Sequence, residues 1–144
     1  MIRFISVEDT LPIRNAILRE GKLTLDQCRF AGDEKLGSFH VGYFDRDDLV
    51  CIATFHPQSY KEYPGQGYQL RGMATLEEYR GRGIGNQVVN FAIVYLRGLK
   101  ANYIWCNARR TALKFYSGLG FEAISDEFEV PNIGPHRVLY LKIQ

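Results

Sequence analysis

The sequence lacks any apolar run approaching the roughly 18 residues that a membrane-spanning helix needs. Its first ten residues, MIRFISVEDT, contain neither the apolar core nor the small-residue cleavage site of a secretory signal peptide. Neither sign of charge dominates, because 18 basic and 16 acidic residues leave a net charge of +2. No broad field therefore favours a nucleic acid or a membrane surface as partner. We expect a cytoplasmic protein with no nucleic-acid and no membrane partner, in which any anion site is local.

Cysteine and histidine are also scarce. Cys28, Cys51 and Cys106 are odd in number and show no CxxC spacing, which argues against a disulfide framework and against a zinc site. We expect reduced thiols with buried structural roles. The three histidines are scattered without the spacing of metal ligands, so no metal site is predicted.

The sequence does contain enough apolar material for one folded core. A hydrophobic fraction of 46% over 144 residues is typical of a globular domain and not of a disordered chain. No repeat, low-complexity tract or Pro/Ser-rich linker divides it. Residues 1–144 are therefore interpreted as a single domain.

Apolar patterns typical of strands alternate with patterns typical of helices. Strands are predicted in IRFISV, SFHVGYFD, DLVCIATFH, YQLRGMATL, YIWCN, FEAIS and RVLYLKI. Helices are predicted in EDTLPIRNAILRE, from Ile84 to Gly98, and in RTALKFYSGLG. The turn DRDD should join the second and third strands as a hairpin, whereas residues 22–37 show no clear pattern. The alternation predicts an α/β domain.

A glycine-rich turn, RGRGIGN at residues 80–86, lies between an extended run and the start of the second predicted helix. The N–H groups at a helix N-terminus suit phosphate, and glycines allow the backbone to approach it closely. The turn has no G-x-x-x-x-G-K-[ST] and does not complete G-x-G-x-x-G, which argues against a P-loop and a dinucleotide fold. A tight turn without a ligand is the alternative.

The pattern R-x-x-G-x-G at Arg80, Gly83 and Gly85 resembles the coenzyme A pyrophosphate signature of the GNAT superfamily of N-acyltransferases. Further matches follow in order within NARRTALKFYSGLGF: Asn107 after a strand, then A-x-x-F-Y and Gly-Phe. Together they span about residues 68–123, and the turn GPH before the last strand is similar to that of a subgroup of small members. The resemblance implies a central mixed, mostly antiparallel β-sheet flanked by helices, with acetyl-CoA as cosubstrate.

The resemblance also implies roles for particular residues. Coenzyme binding is expected from the strand before the turn, where a backbone N–H would meet the thioester carbonyl, and from the turn itself, which would hold the pyrophosphate. These residues are Met73, Ala74, Thr75, Arg80, Gly81, Arg82, Gly83, Ile84, Gly85 and Asn86. Tyr116 is the expected general acid, because a phenol is protonated at neutral pH and can reprotonate the leaving thiolate.

Other roles stay open at this point. Asn107 either caps the strand end or binds the pantetheine arm. Arg109, with Arg110 and Lys114, either meets the adenosine 3′-phosphate or lies on a solvated face. Arg71, within the apolar strand, either binds an acidic group of the acceptor or pairs with a structural carboxylate, and we favour the pairing.

The general base is also open. Glu77 and Glu78 follow the strand and are expected to be exposed, and a lone histidine is more often structural than catalytic. Among the histidines His136 is the best candidate, because the similar subgroup has a histidine in this turn. A relay through water is the alternative.

The leading hypothesis is therefore an N-acetyltransferase that moves an acetyl group from acetyl-CoA to a primary amine of a small molecule or a protein. The alternatives are a non-catalytic acyl-CoA-binding module and, less favoured, a nucleotide-binding protein. Residues 22–37 and 56–67 would wall the acceptor side and match no motif. The oligomeric state is open, with a homodimer as one candidate.

Overall fold

The computed structural model describes residues 1–144 and contains one eight-stranded sheet. Its strands are β1 (Ile2–Ile5), β2 (Phe39–Asp45), β3 (Asp48–Pro57), β4 (Gly67–Thr75), β5 (Tyr103–Arg109), β6 (Glu122–Ala123), β7 (Phe128–Val130) and β8 (Gly134–Lys142). The strand order is β1-β2-β3-β4-β5-β8-β6, and β7 also pairs with β8.

Three α-helices accompany the sheet: α1 (Val7–Ile13), α2 (Ile84–Gly98) and α3 (Leu113–Gly118). Ser6 begins α1 with a capping box, in which its hydroxyl accepts from the Asp9 N–H and the Asp9 carboxylate accepts from the Ser6 N–H. The helix continues as one π-helical turn, Arg14–Leu18. Short 3-10 turns lie at Asp26–Cys28, Glu77–Tyr79 and Arg110–Ala112.

Only β4 and β5 run parallel, and their pairing is short. Gly67 to Gln69 face Tyr103 to Trp105, after which the two strands have no further paired residues. Both strands nevertheless continue, β4 to Thr75 and β5 to Arg109. A wedge therefore opens in the middle of the sheet, with its apex just beyond Gln69.

The main core lies between the sheet and α2. Val88, Val89, Ala92 and Leu96 form the buried side of α2, at the spacing that the sequence predicts for a helix. On strand β5, Ile104, Cys106 and Ala108 face this core, while Tyr103 and Trp105 belong to a separate cluster with Val138. Alternate β5 residues thus point to opposite faces of the sheet, so Asn107 and Arg109 lie on the face away from α2.

The predicted mixed, mostly antiparallel sheet with flanking helices is confirmed. Strand β7, whose three residues form a hairpin with β8, is not predicted by the sequence pattern, and β8 begins three residues earlier than the predicted strand RVLYLKI. Of the predicted strand FEAIS only two residues pair, as β6. Such short edge strands depend on their partner for stability, and their own patterns are too short to identify. No helix has both the length and the apolar character needed to cross a membrane.

Candidate active site

The wedge between β4 and β5 forms one open cleft of about 1030 Å³. It contains all the predicted site residues except Arg82, whose guanidinium carbon lies 5.0 Å from the centre of the Tyr79 ring. The lining members are Met73, Ala74, Thr75, Arg80, Gly81, Gly83, Ile84, Gly85, Asn86, Asn107, Arg109, Tyr116 and His136. The fold therefore brings together residues that are up to 63 positions apart, from Met73 to His136.

The turn before α2 presents unused backbone donors to the cleft. The N–H groups of residues 81–86 donate to no acceptor in the chain, and the first bond of the helix runs from the Gln87 N–H to the Gly83 carbonyl. Gly81 and Gly83 have φ values of +77° and +75°, which favour glycine. A row of free donors at the positive end of a 15-residue helix is suited to a pyrophosphate.

Gly85 is required for a different reason. A Cβ placed there would come within 3.0 Å of the Phe115 ring and 3.2 Å of the Met73 side chain. This glycine lets α2 approach α3 and β4 closely, whereas Gly83 has open space around its missing Cβ. The three glycines of the motif therefore serve backbone conformation and packing as well as access for a ligand.

A β-bulge shapes the cleft edge of β4. Ile52 pairs with Ala74 but Thr54 pairs with Arg71, so Gly72 and Met73 together oppose the single residue Ala53. Gly72 has a φ of +61°. Beyond Gln69 no strand covers this edge of β4, so backbone groups between residues 70 and 75 face the wedge. The Thr75 carbonyl accepts from Arg80 Nε at 3.3 Å, which fixes one arginine of the turn beside the strand.

Tyr116 lies on α3 with its ring packed edge-on against Phe115 and Phe121. The residue is 6% exposed, and its hydroxyl makes no hydrogen bond within the chain although it lines the cleft. Burial raises the pKa of Tyr116 well above its usual value of 10, and the neighbouring Cys106 and Cys51 raise it further. The phenol is therefore neutral and able to donate a proton.

Two cysteines lie near Tyr116 and are not reactive. All three cysteines of the chain are free and buried, as expected. Burial raises the pKa of the Cys51 thiol to about 11 and that of Cys106 to about 12. Because the thiolate is the nucleophile, both thiols are inert near neutral pH. No group of three or more His, Cys, Asp or Glu side chains is placed to hold a metal ion.

His136 lies on β8 opposite Arg109, at the far wall of the cleft. Its Nδ1 is 2.9 Å from the Gly134 carbonyl oxygen. A carbonyl only accepts, so Nδ1 carries the proton and donates it, and in the neutral ring the Nε2 lone pair remains free. The residue is 7% exposed, with the ring centre of Phe128 6.0 Å from its own.

Asn107 is not a strand-end cap, because β5 continues for two more residues and its side chain makes no hydrogen bond within the chain. Arg109 lines the cleft without a partner. By contrast Arg110 is held by Glu127 through two contacts of 2.8 Å, and neither Arg110 nor Lys114 lines the cleft. Asn107 and Arg109 thus remain available to a ligand.

A buried polar network, which no sequence motif predicts, lies beside the cleft. Arg14 Nη1 and Nη2 lie 2.7 and 3.1 Å from the two oxygens of the Asp33 carboxylate, and both side chains are almost fully buried. Asp33 also accepts from the Phe30 N–H at 2.8 Å, and His56 Nε2 is 3.0 Å from it. This network anchors the segment 22–37 to the sheet.

The expected carboxylate partner of Arg71 is not found, so that preference was wrong. The structural ion pair is made instead by Arg14, and the Arg71 guanidinium carbon lies 4.3 Å from the centre of the Phe30 ring. Glu77 and Glu78 are exposed, as predicted. His40 and His56 are buried and are hydrogen-bonded to Thr54 and Asp33, respectively.

A mixed sheet split between two parallel strands, with a glycine turn and free amides at the mouth of the split, defines the GNAT class of acyltransferases. The chain belongs to this class: residues 8–121 match the model of the acetyltransferase (GNAT) family. With the similarity described next, this shows an acyl-CoA-dependent acetyltransferase.

A relative from Bacillus subtilis (strain 168), YitI, described as an uncharacterized N-acetyltransferase, is 40% identical over 140 residues, which are 96% of this chain and 93% of the relative. Solved structures share the fold at lower identity. An aminoglycoside 6′-N-acetyltransferase complexed with coenzyme A has a TM-score of 0.79 at 15% identity, covering 100% of this chain and 97% of that one. FeeM, an N-acyl amino acid synthase from uncultured soil microbes, has a TM-score of 0.81 at 12% identity, covering 99% and 90%.

Proposed function

We propose that this acetyltransferase moves an acetyl group from acetyl-CoA directly to a primary amine, with Tyr116 as the general acid. The observation that carries the proposal is the Tyr116 hydroxyl: it is neutral, free of any partner in the chain, and lines the cleft between β4 and β5. The presence of coenzyme A in the solved aminoglycoside 6′-N-acetyltransferase complex supports the choice of cosubstrate.

In this proposal the turn 80–86 binds the pyrophosphate through its free N–H groups, and Arg80 adds a charge beside them. The pantetheine arm follows the uncovered edge of β4, where Met73, Ala74 and Thr75 would bond to it and to the thioester carbonyl. Asn107 would bond to the arm from the β5 side. Binding the donor at fixed points of two strands would hold its thioester between β4 and β5, within the cleft that Tyr116 and His136 line.

The reaction forms one C–N bond and breaks one C–S bond. The amine nitrogen attacks the thioester carbonyl carbon, and the developing oxyanion is stabilised by a backbone N–H of β4. Collapse of the intermediate releases the coenzyme A thiolate, which takes the proton of the Tyr116 hydroxyl. The inert thiols of Cys51 and Cys106 support direct attack over an acyl-cysteine intermediate.

The attacking nitrogen must lose a proton, and we propose that His136 accepts it at Nε2. The bond from Nδ1 to the Gly134 carbonyl supports this assignment, because it holds the ring in the tautomer whose Nε2 is basic. The phenolate of Tyr116 is then reprotonated from solvent, and the His136 imidazolium releases its proton to solvent, which restores both groups. A cytoplasmic location fits three free thiols and the supply of acetyl-CoA, and it remains a prediction.

Replacing Tyr116 with Phe tests the assignment. The ring and its packing against Phe115 and Phe121 are kept, so the variant should fold and bind acetyl-CoA as the wild type does. We expect kcat in a thiol-release assay over an amine panel to fall by roughly 10²-fold or more, the usual range for a lost general acid.

The matched control is Tyr95→Phe, because Tyr95 lies on α2 outside the cleft. It should leave both kcat and coenzyme affinity unchanged. Unchanged turnover in Tyr116→Phe would show that another group protonates the thiolate. Absence of thiol release with every amine, together with intact coenzyme binding, would instead favour a non-catalytic binding module.

A further inference from the structure

The charged side chains that line the cleft are of one sign. They are Arg19, Arg71, Arg80 and Arg109, and no aspartate, glutamate or lysine lines it. Arg80 is engaged at the phosphate turn through its bond to the Thr75 carbonyl. The guanidinium groups of the other three make no hydrogen bond or ion pair within the chain. The residues that line the cleft therefore carry a net positive charge, although Glu20 acts electrostatically on Arg109 and Asp33 on Arg71 from outside the lining.

Arg71 lies at the apex and not at the phosphate turn. It is two residues beyond Gln69, the last β4 residue paired with β5, and four residues before Thr75. The bulge takes up one of the four residues from Arg71 to Thr75. At about 3.3 Å per strand residue, Arg71 and Thr75 are therefore roughly 10 Å apart along β4. Arg71 is therefore displaced along β4 from Thr75, whose carbonyl binds Arg80 of the turn, and its guanidinium lies over Phe30 of the segment 22–37.

Burial also removes part of the water around the Arg71 side chain. It is half-buried, and burial lowers the pKa of its guanidinium, with the charges of Arg14 and Arg19 acting in the same direction. The one nearby carboxylate, Asp33, is already bonded to Arg14 and His56. Asp33 raises the pKa of Arg71 from a distance but makes no ion pair with it, so an anionic ligand would supply the direct partner that Arg71 lacks.

Phe30, on whose ring Arg71 stacks, is fixed by the buried network. The guanidinium carbons of Arg14 and Arg71 lie 3.8 and 4.3 Å from the centre of the Phe30 ring. The Phe30 N–H is bonded to Asp33, which is itself fixed by the buried ion pair to Arg14. A flat cation fixed on an aromatic ring is preorganised for a bidentate carboxylate.

Resting on the proposed acetyl transfer, we infer that the acceptor is a primary amine that also carries a carboxylate, and that Arg71 binds this carboxylate. Arg19, which is close enough to act on Arg71 electrostatically, and Arg109, across the cleft beside His136, strengthen the selection of an anionic acceptor. Polycationic amines would enter a cleft of their own sign and be poor acceptors.

The inference is tested with matched acceptors. Free glycine, alanine, aspartate and glutamate are compared with their α-carboxamides and with spermidine, in the thiol-release assay. For at least one acid we expect the wild type to show a kcat/KM at least about tenfold above that of its amide, the effect of one lost charged contact. Spermidine should be the poorest acceptor.

Arg71→Gln should raise KM for the preferred acid at least about tenfold and leave kcat within about threefold, while values for the amides stay unchanged. Arg71→Lys keeps the positive charge but lacks the paired N–H donors of the guanidinium, so its KM for the acid should lie between those of the wild type and Arg71→Gln. The matched control is Arg3→Gln, because Arg3 also stacks on a phenylalanine, 3.9 Å from the Phe44 ring centre, but lies outside the cleft. It should change neither value.

A binding readout separates this inference from the proposed function. Carboxylic acids that lack the amine, such as propionate, succinate and glutarate, should raise the melting temperature of the coenzyme A-loaded wild type and not that of loaded Arg71→Gln. If the protein binds coenzyme A but prefers amides or spermidine, or if no acid binds and no amino acid is acetylated, the inference is wrong. If coenzyme A itself does not bind, the proposed function fails first.

Discussion

The buried carboxylate of Asp33 offers a sharp test of how the acceptor side is built. Its two oxygens take four contacts: Arg14 Nη1 at 2.7 Å, Arg14 Nη2 at 3.1 Å, His56 Nε2 at 3.0 Å and the Phe30 N–H at 2.8 Å. The side chains of Arg14 and Asp33 are 1% and 3% exposed. Asp33→Asn keeps the shape of the side chain but removes its charge, so Arg14 would remain as an uncompensated buried cation.

The expected loss is large for a single substitution. Breaking a buried ion pair by neutralising one partner costs about 3–5 kcal/mol in the free energy of unfolding. A chain of this length has roughly 7–20 kcal/mol in total, from about 0.05–0.15 kcal/mol per residue. At about 2–4 °C for each kcal/mol, the melting temperature should fall by roughly 6–20 °C.

Urea denaturation of the wild type, Asp33→Asn and a control measures this loss. The control is Asp26→Asn, because Asp26 makes an ion pair with Arg29 at 2.9 Å but its side chain is 87% exposed. Pairs on the surface contribute about 0–1 kcal/mol, so the control should cost no more than that. The two substitutions make the same chemical change and differ mainly in burial.

The pH dependence has a definite sign. Burial by itself would raise the pKa of Asp33, but the hydrogen bonds from His56, Arg14 and the Phe30 amide outweigh it and hold the pKa well below its usual value. A folded-state pKa below the unfolded value of about 3.9 means that the contribution is present above that pH and is lost as the pH falls through the folded pKa. The difference between wild type and Asp33→Asn should therefore persist down to about pH 4 and shrink below it.

A loss of less than about 1 kcal/mol in Asp33→Asn, no larger than in Asp26→Asn, would show that the network does not anchor the segment 22–37. A functional measurement accompanies the thermodynamic one. Asp33 fixes Phe30, and Arg71 stacks on the Phe30 ring. In Asp33→Asn the KM for the acceptor should therefore rise more than the Kd for coenzyme A.

Two further predictions concern the turn and the proposed base. Gly83→Val places a branched side chain at a φ of +75°, so the free amides should shift and the affinity for coenzyme A, measured by calorimetry, should fall more than about tenfold. Gly118→Ala, with open space at an α-helical position, should not change it, and a folded Gly83→Val with full affinity would refute the pyrophosphate site. His136→Asn should lower kcat/KM for the amine by roughly 10²-fold and leave the coenzyme Kd unchanged. Unchanged kcat/KM would show that His136 only closes the turn through its bond to the Gly134 carbonyl.

The sequence by itself determined the features that depend on local physics. The glycine turn could be identified because positive φ values and a helix start are properties of neighbouring residues, and the apolar spacing of α2 appears directly in its buried positions. The same holds for the β2–β3 hairpin. The role of Tyr116 was implied instead by the resemblance of its A-x-x-F-Y motif to a known family, and it stays a prediction. These signals specify the class of protein and the donor side of the cleft.

Only the tertiary structure decided the acceptor side. Arg14 lies on a helix, Asp33 in the segment 22–37 and His56 on a strand. Asp33 is 19 residues after Arg14 and 23 residues before His56, and no periodicity of the sequence connects the three. The apolar strand around Arg71 predicts that its guanidinium has an anionic partner but does not identify that partner. Ion pairing depends on residues that are distant in the sequence and adjacent only in the fold. Charge balance in a buried site is a property of three-dimensional neighbours, so the partner of Arg14, and the lack of one for Arg71, follow from the fold alone.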